Sequence, residues 1–425
     1  MTRIALLFAA ALALVVSPAA AERVAIVGGT VITMGPKGKL ESGTVLLRDG
    51  RIAAVRAGDA VPDGYAVVDA HGKIVTPGIF AANTALGAVE ISLEDSTRDS
   101  GVSKEAPFSA AFDISYGINP RASAIPVSRI EGITRAAVVP GGRDHLFSGY
   151  GALIHLGDAK DVVTRPRAFA VASLGAAGGA RVGGARGAAV VYFINAMRDA
   201  DRYARMRDKN DFRGLVLSAL DAEALGPVMR GEVPLLITAN RASDITQILR
   251  LRREMPKLDI AIVGAEEGWM VAEDLARAEV PVIVHPFQNL PGDFSRLAAT
   301  RANAARLAAA GVAVTIADEN GDGHNPRLVL QYAGNAVANG MPWEAAFAAI
   351  TINPARLYRV ADKLGSLERG KEADVVIWDG DPLEVMSSPE AVFIRGERIP
   401  LVSRQTKLRD RYRDLSGDRP FAYRR

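Results

Sequence analysis

The chain offers five histidines as candidate bases or metal ligands: His71, His145, His155, His285 and His324. None stands in an H-x-H or H-E-x-x-H spacing, so no pair is pre-set to grip a metal from one strand or one helix turn. There is no cysteine, which excludes a thiolate metal site and a disulfide framework. His285 closes the apolar run VIV, where an imidazole can act in acid–base chemistry. Pro286 behind it also suits simple strand termination. His324 follows Asp318 on one loop. His71, before Gly72, reads as a turn residue, and His155 as a hydrogen-bonded structural histidine within a strand. His145 lies in a polar, Gly-rich loop and its role is open.

Three other constellations carry chemistry. Asp318, Asn320, Asp322 and Gly323 spell D-x-N-x-D-G, the front of a calcium loop, but Val329 stands where the bidentate Glu is required. Turn and N-cap residues are the rival reading. Glu266 and Glu267, with Asp318, are candidate paired carboxylates for metal-free acid–base work. Solvated loop residues are their rival reading. The stretch GAAGGARVGGARG, 175–187, with Arg181 and Arg186, could cradle an anion before a helix. It lacks the Gly-Lys-Ser/Thr of a phosphate loop, and a flexible strand-to-helix connection accounts for it as well.

These residues need strands to position them. From Arg23 to Val75, short Val- and Ile-rich runs alternate with Gly turns, and Asp49-Gly50 is a two-residue hairpin signal. EADVVIWDGDP and AVFIRGERI add strands near the other end. Strands are expected in GITRAAVVPGG, GYGALIHLGD and RAFAVASLG, and then at PLLIT, DIAIV, PVIV and VAVTI. Between the last four lie the helical stretches ASDITQILRLRREM, GWMVAEDLARAE and FSRLAATRANAARLAAAG. This alternation means parallel βαβ units, which suit a closed barrel or a doubly wound sheet equally. Residues 92–128 have no periodicity and read as a long excursion over the strand ends.

The wording of KIVTPGIFAANTALG (73–87), GITRAAVVPGG (132–142), TINPARLY and GSLERGKEADVVIWDGDPL (365–383) resembles the amidohydrolase superfamily, especially its imidazolonepropionase-like branch. The resemblance implies an α/β fold: a (β/α)₈ TIM-like barrel of the metal-dependent hydrolase type over 79–357. It further implies a composite β-sandwich from 22–78 and 358–402, with a basic tail at 403–425. It also implies where metal ligands would stand. The first-strand His-x-His falls on Asn83 and Ala85, the fifth-strand histidine on Thr238 or Asn240, and the sixth on Gly264. The eighth-strand aspartate is retained as Asp318. Zinc is the family's metal, but a catalytic zinc needs about three ligands, usually with two or more histidines. No zinc is therefore expected at these positions.

The expected function is an exported protein with the fold of hydrolases acting on C–N bonds other than peptide bonds, and on some dipeptides. Its metal centre is expected to be degenerate, with a binding or scaffold role. Asn83, Thr238, Asn240 and His324 are the candidate binding residues. The alternative is an active hydrolase with Asp318 as general base, joined by His285 and Glu266. The expected partner is a small molecule at the barrel mouth, with a homo-oligomer or an active paralogue as possible company.

Composition bounds the rest. The chain has 425 residues, 49% hydrophobic, and a net charge of +3, which gives no case for nucleic acid. Residues 1–21 read as a cleavable export signal: Arg3, the apolar run Ile4–Val16, a Ser-Pro break and Ala19-Ala20-Ala21. Export beyond the inner membrane, as a periplasmic or secreted protein, is the expectation. No other run is long enough to span a bilayer. The basic end, Arg404 to Arg425, reads as a solvated tail, with an anionic partner as the minor reading.

Overall fold

A computed structural model describes residues 23–142, 144–206, 214–287, 290–318 and 325–413. The N-terminal segment supplies β1 (Val24–Ile32), β2 (Lys39–Arg48), β3 (Arg51–Ala57), β4 (Ala66–Asp69) and β5 (Ile74–Pro77). The expected hairpin forms between β2 and β3, and both of its turn residues have positive φ, Asp49 at 54° and Gly50 at 72°. That is the mirror-image turn whose twist matches antiparallel strands.

The central strands are β6 (Ile79–Thr84), β7 (Ile133–Val138), β8 (Phe147–His155), β9 (Val163–Ser173), β10 (Leu235–Ala239), β11 (Ile260–Gly264), β12 (Val282–Val284) and β13 (Val314–Ile316). They form one eight-stranded sheet in chain order, which is the TIM-like wall. One strand departs from the all-parallel expectation. β8 runs antiparallel to both β7 and β9, and the other neighbours are parallel. Its connections, residues 139–146 and 156–162, are too short for the crossover that a parallel neighbour requires. β13 and β6 meet without a ladder. Instead Phe80 N donates to Ile350 O (2.9 Å), Ile316 N to Ala349 O (3.0 Å) and Asn83 Nδ2 to Asp318 O (2.6 Å) across the seam.

The closing strands are β14 (Val375–Trp378), β15 (Pro389–Ile394) and β16 (Glu397–Ile399). β14 pairs with β5, Val375 opposite Pro77 and Trp378 opposite Ile74, so both chain ends share one eight-stranded sheet. The alternation within β1 sends Val24 and Ile26 to one core and Ala25 and Val27 to another. This sheet is tied to the barrel by Arg135 of β7. Its Nε donates to Asp374 Oδ2 at 2.5 Å and its Nη2 to Glu372 Oε2 at 2.6 Å, with Arg135 and Asp374 buried and Glu372 partly so.

The helices, in order, are α1 (Ala124–Arg129), α2 (Gly175–Arg181), α3 (Arg186–Arg205), α4 (Ala219–Met229), α5 (Ala242–Glu254), α6 (Ala272–Arg277), α7 (Asn303–Ala309), α8 (Val329–Ala338), α9 (Trp343–Ala348), α10 (Ile352–Leu357) and α11 (Arg404–Arg413). Inside the barrel, Phe80, Leu153, Phe169, Leu236 and Tyr358 pack together. The Tyr358 hydroxyl donates to Ala82 O on β6.

Several expectations need correction. The Gly-rich stretch is not simply a loop, since its first part is α2. The helix expected from Phe294 starts only at Asn303, because side chains pull residues 294–302 elsewhere. Asp293 Oδ1 accepts from Ser295 N (2.6 Å), and Glu267 Oε1 accepts from Ala298 N (3.0 Å). Residues 92–128 hold two 3₁₀ turns and α1. Their contacts fall on the β7–β8 connection (Gly141 N to Ser100 O, 2.7 Å) and on Asp221 of α4 (Ser109 N, 2.9 Å). α11 buries no residue. Among the described residues no helix is long and apolar enough to cross a membrane.

Candidate functional site at the barrel mouth

The C-terminal strand ends bring two groups of the expected residues together. The first lies at the seam. Asn83 lies near the end of β6, and its Nδ2 donates to the Asp318 carbonyl. The Asp318 Oδ1 lies 4.0 Å from His285 Nδ1. Both residues are buried, at 7% and 5% exposure. The His285 ring stands edge-on to Tyr332 of α8, 4.3 Å between centroids, and the Phe287 and Tyr332 rings stack at 6.3 Å. Ala85 has no donor side chain, and its carbonyl is used in a turn by Ala88 N and Val89 N. His324, with Glu319, Asn320, Asp322 and Gly323, lies outside the described residues, and so does the calcium-loop reading.

The second group lies at the ends of β10 and β11. Gly264 has φ +94°, a region that side chains rarely enter, and a Cβ built there would stand 2.0 Å from Asn240 Oδ1. The position where the resemblance would put the sixth-strand ligand is thus closed twice, by backbone shape and by the neighbouring amide. Thr238 is half-buried near the end of β10, where its carbonyl accepts from Leu174 N at 3.0 Å. Glu266 is buried and bonded to Arg296 Nη1, which also ties Asp293 through Nε at 2.8 Å. Glu267 accepts from Ala242 N and Ala298 N, both at 3.0 Å. The two glutamates are therefore buried and engaged, unlike the solvated pair that a loop dipeptide suggested. Glu267 is bound to the first residue of α5, where a carboxylate meets the positive end of the helix.

Sequence reasoning missed Arg296 and Tyr332, and named Arg181 only as part of an anion cradle. Arg181 reaches back from α2 to Ser173 Oγ at the end of β9 (2.6 Å) and to His145 O (3.2 Å). Arg296 had one local signal, the Asp293-x-x-Arg296 spacing. Tyr332 had none, because a helical aromatic reads as core. The remaining histidines are accounted for structurally. His155 Nδ1 accepts from Gly157 N at 3.1 Å, and burial, with the Arg135 charge behind it, pushes its pKa down. His71 is exposed and shared by Asp69 and Asp59, whose hydrogen bonds raise its pKa. His145 Nε2 lies 2.9 Å from Ser103 O.

The donor set does not fit a catalytic zinc. Among the described residues no cluster of His, Asp and Glu could hold a metal ion. The reason is chemical: the positions where the resemblance would put three ligands hold an amide, a methyl and a glycine with no room for a side chain.

Comparison with known proteins supports the amidohydrolase resemblance. A model of the amidohydrolase family matches residues 246–402. Amidohydrolase tasK of Hapsidospora irregularis is 23% identical over 390 residues, covering 83% of this chain but only 39% of that protein. Imidazolonepropionase of Brucella abortus (strain S19) is 26% identical over 379 residues, 80% of this chain and 88% of the relative. The crystal structure of an amidohydrolase from Thermotoga maritima MSB8 superposes with a TM-score of 0.78 at 22% identity, covering 89% of this chain and 99% of that one.

Proposed function

Because this chain belongs to the amidohydrolase superfamily, we propose that it is an exported member that binds a small molecule at the barrel mouth without the usual zinc centre. One observation carries this reading. Gly264 stands where the sixth-strand ligand would be, and Asn240 fills the space a side chain there would need. The seam supports it, since Asn83 is turned to the Asp318 carbonyl. A zinc that activates water needs roughly three protein ligands. What remains is a mouth with a carboxylate, an imidazole, an aromatic ring and arginines. Such a set recognises a polar ring or an amide through hydrogen bonds. A binding role also suits assembly with an active paralogue or a second copy.

The test is metal analysis of the purified full chain, followed by thermal shift with cyclic amides, imidazolones and dipeptides. Expected are zinc well below one equivalent and stabilisation by a ligand without turnover. Tight, stoichiometric zinc sinks the reading.

A second reading is favoured by the Asp318–His285 pair at 4.0 Å. In it, Asp318 is the general base of a hydrolase acting on a C–N bond outside peptides, with an atypical metal set or none. Glu266 is less suited to proton transfer because its Oε1 accepts a hydrogen bond from Arg296 Nη1. Asp318→Ala then abolishes hydrolysis while the protein stays folded, and unchanged turnover counts decisively against it.

A further inference from the structure

We propose that a cleft on the barrel flank, away from the mouth, is a binding site for a small monocarboxylate with an apolar body. The cleft has a volume of about 800 Å³, within the range of small-molecule sites. Phe108, Tyr203, Leu220 and Pro227 give it apolar walls, and Arg167, Arg230 and Glu223 are its charged groups.

The two arginines are not equivalent. Arg230 is gripped by Glu232, Nε to Oε1 at 2.7 Å and Nη2 to Oε2 at 2.9 Å. Arg167 has no carboxylate partner among the described residues. Its guanidinium carbon lies 3.9 Å over the ring of Tyr150. That ring is fixed, because Tyr150 is buried and its hydroxyl donates to Ala224 O of α4. A guanidinium over an aromatic face has further N–H donors in a planar fork that matches a carboxylate.

The backbone is shaped to hold Arg167 there. Gly151 and Leu153 of β8 oppose Phe169 and Arg165 of β9, so β9 carries extra residues at 166–168. A bulge of this kind re-aims a side chain. Arg167 sits in it at φ +46°, a conformation uncommon outside glycine. Across the pair, Gly151 leaves room for the Phe169 ring, whose atoms would lie 2.1 Å from a Cβ. Bulge, left-handed arginine and clamped tyrosine together present one cation at an apolar cleft. Glu223 on α4 disfavours a second negative charge on the ligand.

The test uses the full chain and titration calorimetry with 3-phenylpropionate and its neutral amide. Saturable binding of the acid is expected, about tenfold tighter than the amide. Arg167→Gln erases that preference, and Arg167→Lys retains part of it. Leu220→Asp, at an exposed wall position, weakens the acid further. Circular dichroism reports whether each variant is folded, and Leu220→Asp decides the matter if Arg167→Gln is not. Asp318→Asn leaves the binding in place. The proposal is overturned by equal affinity for acid and amide, by undiminished acid binding in folded Arg167→Gln, by no saturation at millimolar acid, or by loss of binding in Asp318→Asn.

Discussion

Replacing Gly264 tests whether the sixth-strand position is closed for the reason given. At φ +94° the backbone itself resists any Cβ, and holding a side chain in such a region costs about 1–3 kcal/mol. The contact adds a second part. The Cβ would meet Asn240 Oδ1 at 2.0 Å and Cγ at 3.0 Å. Both atoms belong to a side chain that can swing away, so this part amounts to a forced rotamer change, roughly 1 kcal/mol. Gly264→Ala should therefore lose about 2–4 kcal/mol in urea unfolding followed by circular dichroism. Asn240→Ala placed in the same chain should recover about 1 kcal/mol of that loss, a coupling that a double-mutant cycle reads directly. Gly264→His should lose at least as much as Gly264→Ala and gain no zinc. A loss under about 0.5 kcal/mol for Gly264→Ala refutes the reasoning, because the position would then accept a ligand side chain freely.

Two further outcomes follow from buried charges. Arg135→Met leaves the Asp374 and Glu372 carboxylates facing each other in the join between the sheets, so it should destabilise by about 3–5 kcal/mol in the same assay, and a loss under about 1 kcal/mol contradicts the buried pairing. His155 has a lowered native pKa and accepts a hydrogen bond at Nδ1, so the unfolded chain takes up its proton first. Its contribution is present above the unfolded value of about 6.5 and is lost as pH falls through the native one. The urea midpoint should fall more between about pH 7.5 and 5.5 in the parent than in His155→Gln, and parallel profiles contradict the assignment.

Much of the architecture was legible locally. A hairpin at Asp49-Gly50, the strands PLLIT, DIAIV, PVIV and VAVTI, and the helix at 242–254 are set by turn chemistry and by hydrophobic period. Those signals act over a few residues, so one chain suffices to read them. The Gly-rich stretch at 175–187 misled because glycine's low helix propensity is overridden when a turn is packed between β9 and α3. The direction of β8 needed connection length weighed against strand pattern, since a strand's own residues look alike whichever way it runs.

The site divides along the same line. The resemblance to amidohydrolases is what put expected ligand positions on Asn83, Ala85 and Gly264 and matched the aspartate to Asp318, and the residue types there carry no ligand histidine. Only the tertiary structure decided what surrounds those residues. It turned Asn83 onto the Asp318 carbonyl, set Asn240 beside Gly264, and drew Arg296 onto Glu266 from a loop thirty residues away. It also brought the bulge of β9 against Tyr150 and α4. Such contacts join residues far apart in the chain, and their geometry depends on the packing of the whole barrel, which no local pattern encodes.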